Sequence, residues 1–137
     1  MADLEEREPD PNGWVPNDDE GLVLVESSAV ADGDVLRVAV MLRPNSDMSA
    51  HWNNEAGPTQ LWLDAPDGWV LGQRLHMVPN PGEEISEEPR RFEFEIGRVG
   101  GGGEAAVLRG YTVYFACKGD TGVCMSRRQH VEVTLAG

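Results

Sequence analysis

Basic residues are scarce in this chain of 137 residues, which has 11 Lys and Arg against 24 Asp and Glu and a formal net charge of -13. Binding to nucleic acid or to anionic lipid depends on clustered Lys and Arg that displace counterions. The chain also lacks the roughly 20 consecutive apolar residues of a membrane-spanning helix. We therefore expect no nucleic-acid partner and no direct membrane insertion.

Cysteine is rarer still, because only Cys117 and Cys124 are present. Two cysteines cannot supply a four-thiolate zinc site. His51, His76 and His130 lie on three separate segments, and a cysteine with two of them would resemble a copper site. That kind of site also uses a late methionine, and no Met follows His130. We therefore expect neither a bound metal nor a cofactor.

Amphipathic helical patterns with start and stop signals are missing, whereas turn residues recur along the whole chain. Between the turns lie short apolar runs, several with the period-two alternation of half-buried strands. The pattern predicts an all-β protein, an immunoglobulin-like antiparallel β-sandwich of about seven strands. The predicted strands are 22–25, 35–42, 60–63, 69–78, 92–96, 106–116 and 131–135.

The acidic residues are concentrated at the start of the sequence. The first 20 residues contain eight acidic side chains and one basic side chain. This composition is typical of solvated, loosely held chain. We expect a flexible leader over residues 1–20, with Trp14 and Val15 as candidate contacts to the body, and one immunoglobulin-like domain over residues 21–137.

The two cysteines fall on either side of a turn. Strand residues continue to Cys117, a Gly-rich turn follows, and Cys124 begins the return strand, so a disulfide across a hairpin is geometrically reasonable. Cys117 shares a face with Val113 and Phe115, which we expect inside the sandwich. Cys124 is out of step with the apolar positions of the last strand, so a bulge after it is expected.

Such a pair has two interpretations. A disulfide at the tip of a hairpin closes only a short loop and remains accessible to an attacking thiolate, which suits a bond that is exchanged. The other interpretation is a structural disulfide in a non-catalytic interaction domain. Lys118 and Arg127 could favour a thiolate at the neighbouring cysteine, and Asp120 could oppose it.

Three motifs carry a resemblance to a known family. They are YFAC at 114–117 followed by GVC at 122–124, the segment MSAHWNNEAGP at 48–58 and the run LDAPDGW at 63–69. Over about residues 35–135 the chain resembles the amino-terminal, disulfide bond corrector type domain of thiol:disulfide interchange proteins of the DsbD type. It is also similar to the β domains of thioredoxin-like and NHL-repeat proteins.

The resemblance implies a function and a set of site residues. Cys117 and Cys124 match the exchanging pair, and His51 and Trp52 match aromatic positions beside it, where we expect them to shield the hairpin tip. The alternative for Trp52 is a place in the core, since tryptophan is highly buried on average. Tyr114 and Asp120 complete the supporting set. The implied partners are thioredoxin-fold proteins and a membrane-embedded electron-transfer domain. The chain starts without signal-peptide features, so the implied periplasmic location applies if it is one domain of a longer protein.

Overall fold

Nearly all of the chain is β-strand in the computed structural model, which describes residues 7–79, 81–99, 106–119 and 122–135. These residues contain one short 3-10 helix, Ser46–Met48, and no helix capable of spanning a bilayer. The strands are β1 (Val23–Asp32), β2 (Val35–Pro44), β3 (Ala50–Asn53), β4 (Thr59–Asp64), β5 (Trp69–Leu71), β6 (Leu75–Val78), β7 (Ile85–Ser86), β8 (Arg90–Arg98), β9 (Ala106–Lys118) and β10 (Cys124–Leu135).

The strands form two antiparallel sheets, which confirms the predicted all-β sandwich. The four-stranded sheet has the order β1-β2-β8-β5, and in the six-stranded sheet β10 pairs with β9, which pairs in turn with β4 and β3. These orders correspond to the A-B-E-D and G-F-C arrangements of immunoglobulin domains. The single strand predicted over residues 69–78 is wrong. The chain breaks after Leu71, so that β5 pairs with β8 and β6 pairs with β4.

The core lies between the sheets and follows from period-two alternation. In β2 the even positions Leu36, Val38, Val40 and Leu42 are buried, because they point away from solvent along the pleat. The facing sheet contributes further buried apolar side chains at alternate positions, such as Val131, Val133 and Leu135 of β10. Full burial of each large aliphatic or aromatic side chain contributes about 1.5–3 kcal/mol.

Strand β9 is the central element of the six-stranded sheet. It pairs with β10 over twelve residue pairs, and on its other edge with β4 and then with β3. Gly110 lies where β4 crosses closely, since a Cβ atom there would be 2.0 Å from the carbonyl oxygen of Trp62. Only glycine permits this approach, and the pairing of β4 with β9 depends on it.

Residues 8–18, which we call the N-terminal strap, lie against the outer face and the edge of the hairpin formed by β9 and β10. The buried carboxylate of Asp10 accepts hydrogen bonds from the amides of Trp14 and Val15 and forms an ion pair of 2.6 Å with Arg128. Burial alone would raise the pKa of Asp10, but these hydrogen bonds outweigh it and hold that pKa below its usual range. The guanidinium of Arg128 also lies 3.9 Å from the ring centroid of Tyr111.

The second half of the strap covers the edge of β10. Asn17 forms a parallel bridge with Arg128, and the carboxylate of Asp18 accepts hydrogen bonds from the amides of Leu22 and Val23. Composition predicts a loosely held leader, whereas the strap has a defined path because its aspartates accept specific hydrogen bonds. Residues 1–6 lie outside the described residues.

Candidate functional site

The two cysteines form a disulfide at the turn end of the β9–β10 hairpin. Cys117 and Cys124 are directly opposite each other, with Cα atoms 3.9 Å apart. The amide of Lys118 donates to the carbonyl of Val123, which makes the next pair a hydrogen-bonded one. The cysteines therefore occupy a non-hydrogen-bonded pair, the position at which cross-strand side chains approach most closely.

The predicted bulge is absent, and the predicted facing of β9 is wrong. Pairing is continuous from Cys124 to Leu135 without an inserted residue. Val113 belongs to a small apolar cluster on the outer face, with Phe115 half-buried against it, whereas Tyr114 lies in the main core. Cys117 and Cys124 thus share the outer face, and no break in the return strand is needed.

The two halves of the disulfide differ in accessibility. Cys117 is 1% exposed, whereas Cys124 is exposed to solvent. An incoming thiolate can therefore approach the disulfide from the Cys124 side. Attack on Sγ of the exposed Cys124 releases the other sulfur of the disulfide, so the buried Cys117 is the leaving thiolate.

His51 lies beside the disulfide on the next strand. In the pairing of β3 with β9 it is directly opposite Cys117, so its half-buried side chain shares the outer face with both cysteines. His51 also lines an open groove of about 580 Å³. Strand β7 and the residues on either side of it form the other wall, which includes Glu83, Glu87 and Glu88.

Trp52 and Tyr114 lie on the opposite face, inside the sandwich. Trp52 is 0% exposed and its indole N–H donates to the carbonyl of Glu88 at 2.7 Å. The two rings meet edge to face with centroids 6.2 Å apart. The expectation that Trp52 lies at the hairpin tip rather than in the core is therefore wrong. Trp52 pairs with Ala116 of β9, and the side chain of Ala116 points into the core.

The Tyr114 hydroxyl connects the core to the start of the chain. It donates to the carboxylate of Asp18 at 2.6 Å and accepts a hydrogen bond from the side-chain amide of Gln129. Burial, together with the interaction with Asp18, raises the pKa of Tyr114 above its usual range. Tyr114 is therefore a neutral donor that fastens the end of the strap at Asp18, on the face away from the sulfur atoms.

The cations expected to influence the cysteines point elsewhere. Lys118 and Arg127 alternate to the face opposite the disulfide, and the ammonium of Lys118 forms an ion pair of 2.6 Å with Glu20. Asp120, the remaining supporting residue, lies outside the described residues. Of the candidate supporting side chains that the structure describes, His51 alone is placed by register in the row of the two cysteines.

The other two histidines lie apart from this row. His76 stacks on Phe94 with ring centroids 5.1 Å apart, and His130 pairs with Tyr111 on the hairpin. Within the described part of the chain, no group of three or more His, Cys, Asp or Glu side chains could hold a metal ion.

Sequence comparison adds no relative to this description. The chain matches no protein-family model, and the search of curated proteins finds no match. The resemblance to DsbD-type domains is thus a hypothesis based on the hairpin motifs. Sequence reasoning also missed the Asp10–Arg128 ion pair and the groove beside His51, since both join segments that are distant in sequence and carry no local signal.

Proposed function

We propose that this protein is a thiol-disulfide exchange module that passes two electrons between a redox donor and thioredoxin-fold partners through Cys117 and Cys124. One observation carries the proposal: the disulfide lies on the outer face at the turn end of a hairpin, and it joins an exposed cysteine, Cys124, to a buried one, Cys117. This asymmetry gives the two cysteines different roles in an exchange reaction.

In reduction of the module, a partner thiolate attacks Sγ of Cys124. A new sulfur–sulfur bond forms, the Cys117–Cys124 bond breaks, and its electron pair leaves on Cys117 as a thiolate. The second thiol of the partner then attacks the partner's own sulfur in the mixed disulfide and releases Cys124. The partner is oxidised by two electrons and the module is reduced by two. In the reverse direction Cys124 attacks first and Cys117 resolves the mixed disulfide.

A purely structural role would contribute little stability at this position. The disulfide closes a loop of about eight residues, for which the chain-entropy model gives about 2.5 kcal/mol. The cysteines it joins are already held in register by eleven further residue pairs of the twelve between β9 and β10. The strands are therefore aligned without the covalent bond, and a reversible role accounts better for a disulfide at the hairpin end.

A redox titration tests the proposal. The protein is equilibrated in thiol buffers of set potential, with and without thioredoxin and its reductase, and free thiols are alkylated and counted by mass spectrometry. We expect rapid reduction by thioredoxin and a midpoint potential above about -300 mV, the value below which structural disulfides typically lie. A potential well below that value, or a disulfide that thioredoxin leaves intact, would assign it a structural role in a non-catalytic interaction domain.

A matched pair of variants tests the two sulfur roles. Cys117→Ser leaves the Cys124 thiol, and the probe is a thioredoxin that lacks its resolving cysteine and carries its remaining cysteine as a mixed disulfide with thionitrobenzoate. We expect the Cys124 thiolate to attack this thioredoxin sulfur, release thionitrobenzoate and leave a stable protein–protein mixed disulfide. Cys124→Ser leaves only the covered Cys117 thiol, and we expect at least a tenfold lower yield of the same adduct. Equal trapping by both variants would refute the assignment of Cys124 as the attacked sulfur.

A further inference from the structure

We infer that His51 is a charge-stabilising residue for the exchange reaction, in which its protonated imidazole stabilises the thiolate that leaves on Cys117. The inference rests on the proposed function and adds to it a pH-dependent group that directs the reaction to one sulfur. It is drawn from the alignment of Cys124, Cys117 and His51 in one cross-strand row.

Strand register provides the geometry. Cys124 pairs with Cys117 across β10 and β9, and Cys117 pairs with His51 across β9 and β3. Directly opposed residues on one face of an antiparallel pair have Cβ atoms about 4.5–5.5 Å apart. His51 is thus the cross-strand neighbour of Cys117 on this face, on the side away from Cys124. Its half-buried position in the wall of the groove leaves it access to protons from solvent.

The neighbouring elements determine which charges face this imidazole. Lys118 and Arg127 of the hairpin point to the opposite face. Glu83, Glu87 and Glu88 line the same groove as His51, and the carboxylate of Glu88 is paired with Arg90 at 3.0 Å. Extended by one residue, the register of β7 with β3 puts Glu87 opposite His51. His51 is therefore the cation that can form next to Cys117 on this face.

The reaction step balances with this group included. The reductant thiolate bonds to Cys124, the disulfide electron pair passes to Cys117, and the imidazolium of His51 stabilises that thiolate and donates its proton to it. The neutral imidazole regains a proton from solvent. Histidine is the side chain whose charge ordinarily changes between pH 5 and 8. The acceleration of disulfide reduction by a protonated imidazole should therefore be present in mildly acidic solution and be lost as the pH rises.

The test is the rate of reduction of the intact protein by dithiothreitol between pH 5.5 and 8.5, divided at each pH by the concentration of reductant thiolate. A unit charge at about 5 Å, between the dielectric limits of a protein surface and water, changes the rate by about tenfold. We expect the corrected wild-type rate to fall by about that factor as the pH rises. We expect His51→Gln to be uniformly slow and His51→Lys to stay fast at pH 8.

His130→Gln is the matched control, because His130 lies on the outer face of the same hairpin, opposite Tyr111. It should keep the wild-type profile, and unfolding midpoints should establish that every variant is folded. A wild-type profile without an inflection, or a His51→Gln profile that equals the wild type, would overturn the inference. If His51→Gln fails to fold, the wild-type and His130→Gln profiles still decide. If thioredoxin reduces the disulfide but the corrected wild-type rate does not change with pH, the role of His51 is refuted and the proposed function is not. If no thiol reduces the disulfide, the proposed function is refuted as well.

Discussion

Replacing Trp52 with alanine should cost the protein much of its stability and leave the redox centre unchanged. The side chain is fully buried in the main core, so its loss removes a large apolar surface and leaves a cavity. Such truncations of buried aromatic residues cost about 3–5 kcal/mol. The change also leaves the carbonyl of Glu88 without its indole donor and uncovers Arg90, whose guanidinium lies 4.5 Å from the indole centroid.

Trp52→Phe separates these contributions, because it retains most of the apolar volume and removes only the N–H donor. A net hydrogen bond contributes about 0.5–1.5 kcal/mol, and we expect a loss of that order. Urea unfolding of the oxidised protein, followed by circular dichroism, measures both variants, and a redox titration of each measures the disulfide potential. The potential should not change, since the indole and the sulfur atoms lie on opposite faces of the sheet. An alanine variant less than 1 kcal/mol below wild type, or one with a shifted potential and unchanged stability, would refute this assignment.

The remaining predictions concern the backbone and the strap. Gly110→Ala should be strongly destabilising in urea unfolding because its Cβ would overlap the Trp62 carbonyl, whereas Gly97→Ala, also in a strand, meets only Val35 at 3.8 Å and should cost little. The pKa of Asp10 is lower in the folded protein, so its contribution to stability is complete above its usual pKa and is lost as the pH falls through the lower, folded value. Unfolding midpoints measured down to pH 2 should therefore show a weaker pH dependence for Asp10→Asn than for wild type.

The sheets were predictable because strand periodicity is local. Alternation in β2 identifies its buried face without any knowledge of its partners, and the same holds for Phe92 and Ile96 in β8. In β9 the local signal fails, because both faces are apolar. Val113 and Phe115 contribute to the outer cluster while Tyr114 and Ala116 enter the main core. Period two then gives two equally hydrophobic faces, and only the partner strands show which face is inside.

Of the candidate site, only the disulfide was predictable from the sequence. Two cysteines on either side of a turn indicate a hairpin disulfide, which is a local inference. The placement of His51 opposite Cys117, and of Trp52 away from it, depends on the parity with which β3 joins β9. A shift of that register by one residue would exchange the two side chains between the faces, and no residue near position 51 specifies the register.

The N-terminal strap also has a consequence for the order of folding. Its anchors bridge most of the chain, since Asp10 meets Arg128 at a sequence separation of 118 residues and Glu8 meets Tyr111 at 103. During synthesis the strap therefore has no docking surface until β9 and β10, which come about 90 or more residues later, have emerged and paired. Contacts between residues so far apart in sequence form slowly, because the chain loses the entropy of closing a long loop before the contact stabilises it. We expect the strap amides to gain protection last in refolding, and to exchange hydrogen first in the native state, before β9 and β10 separate.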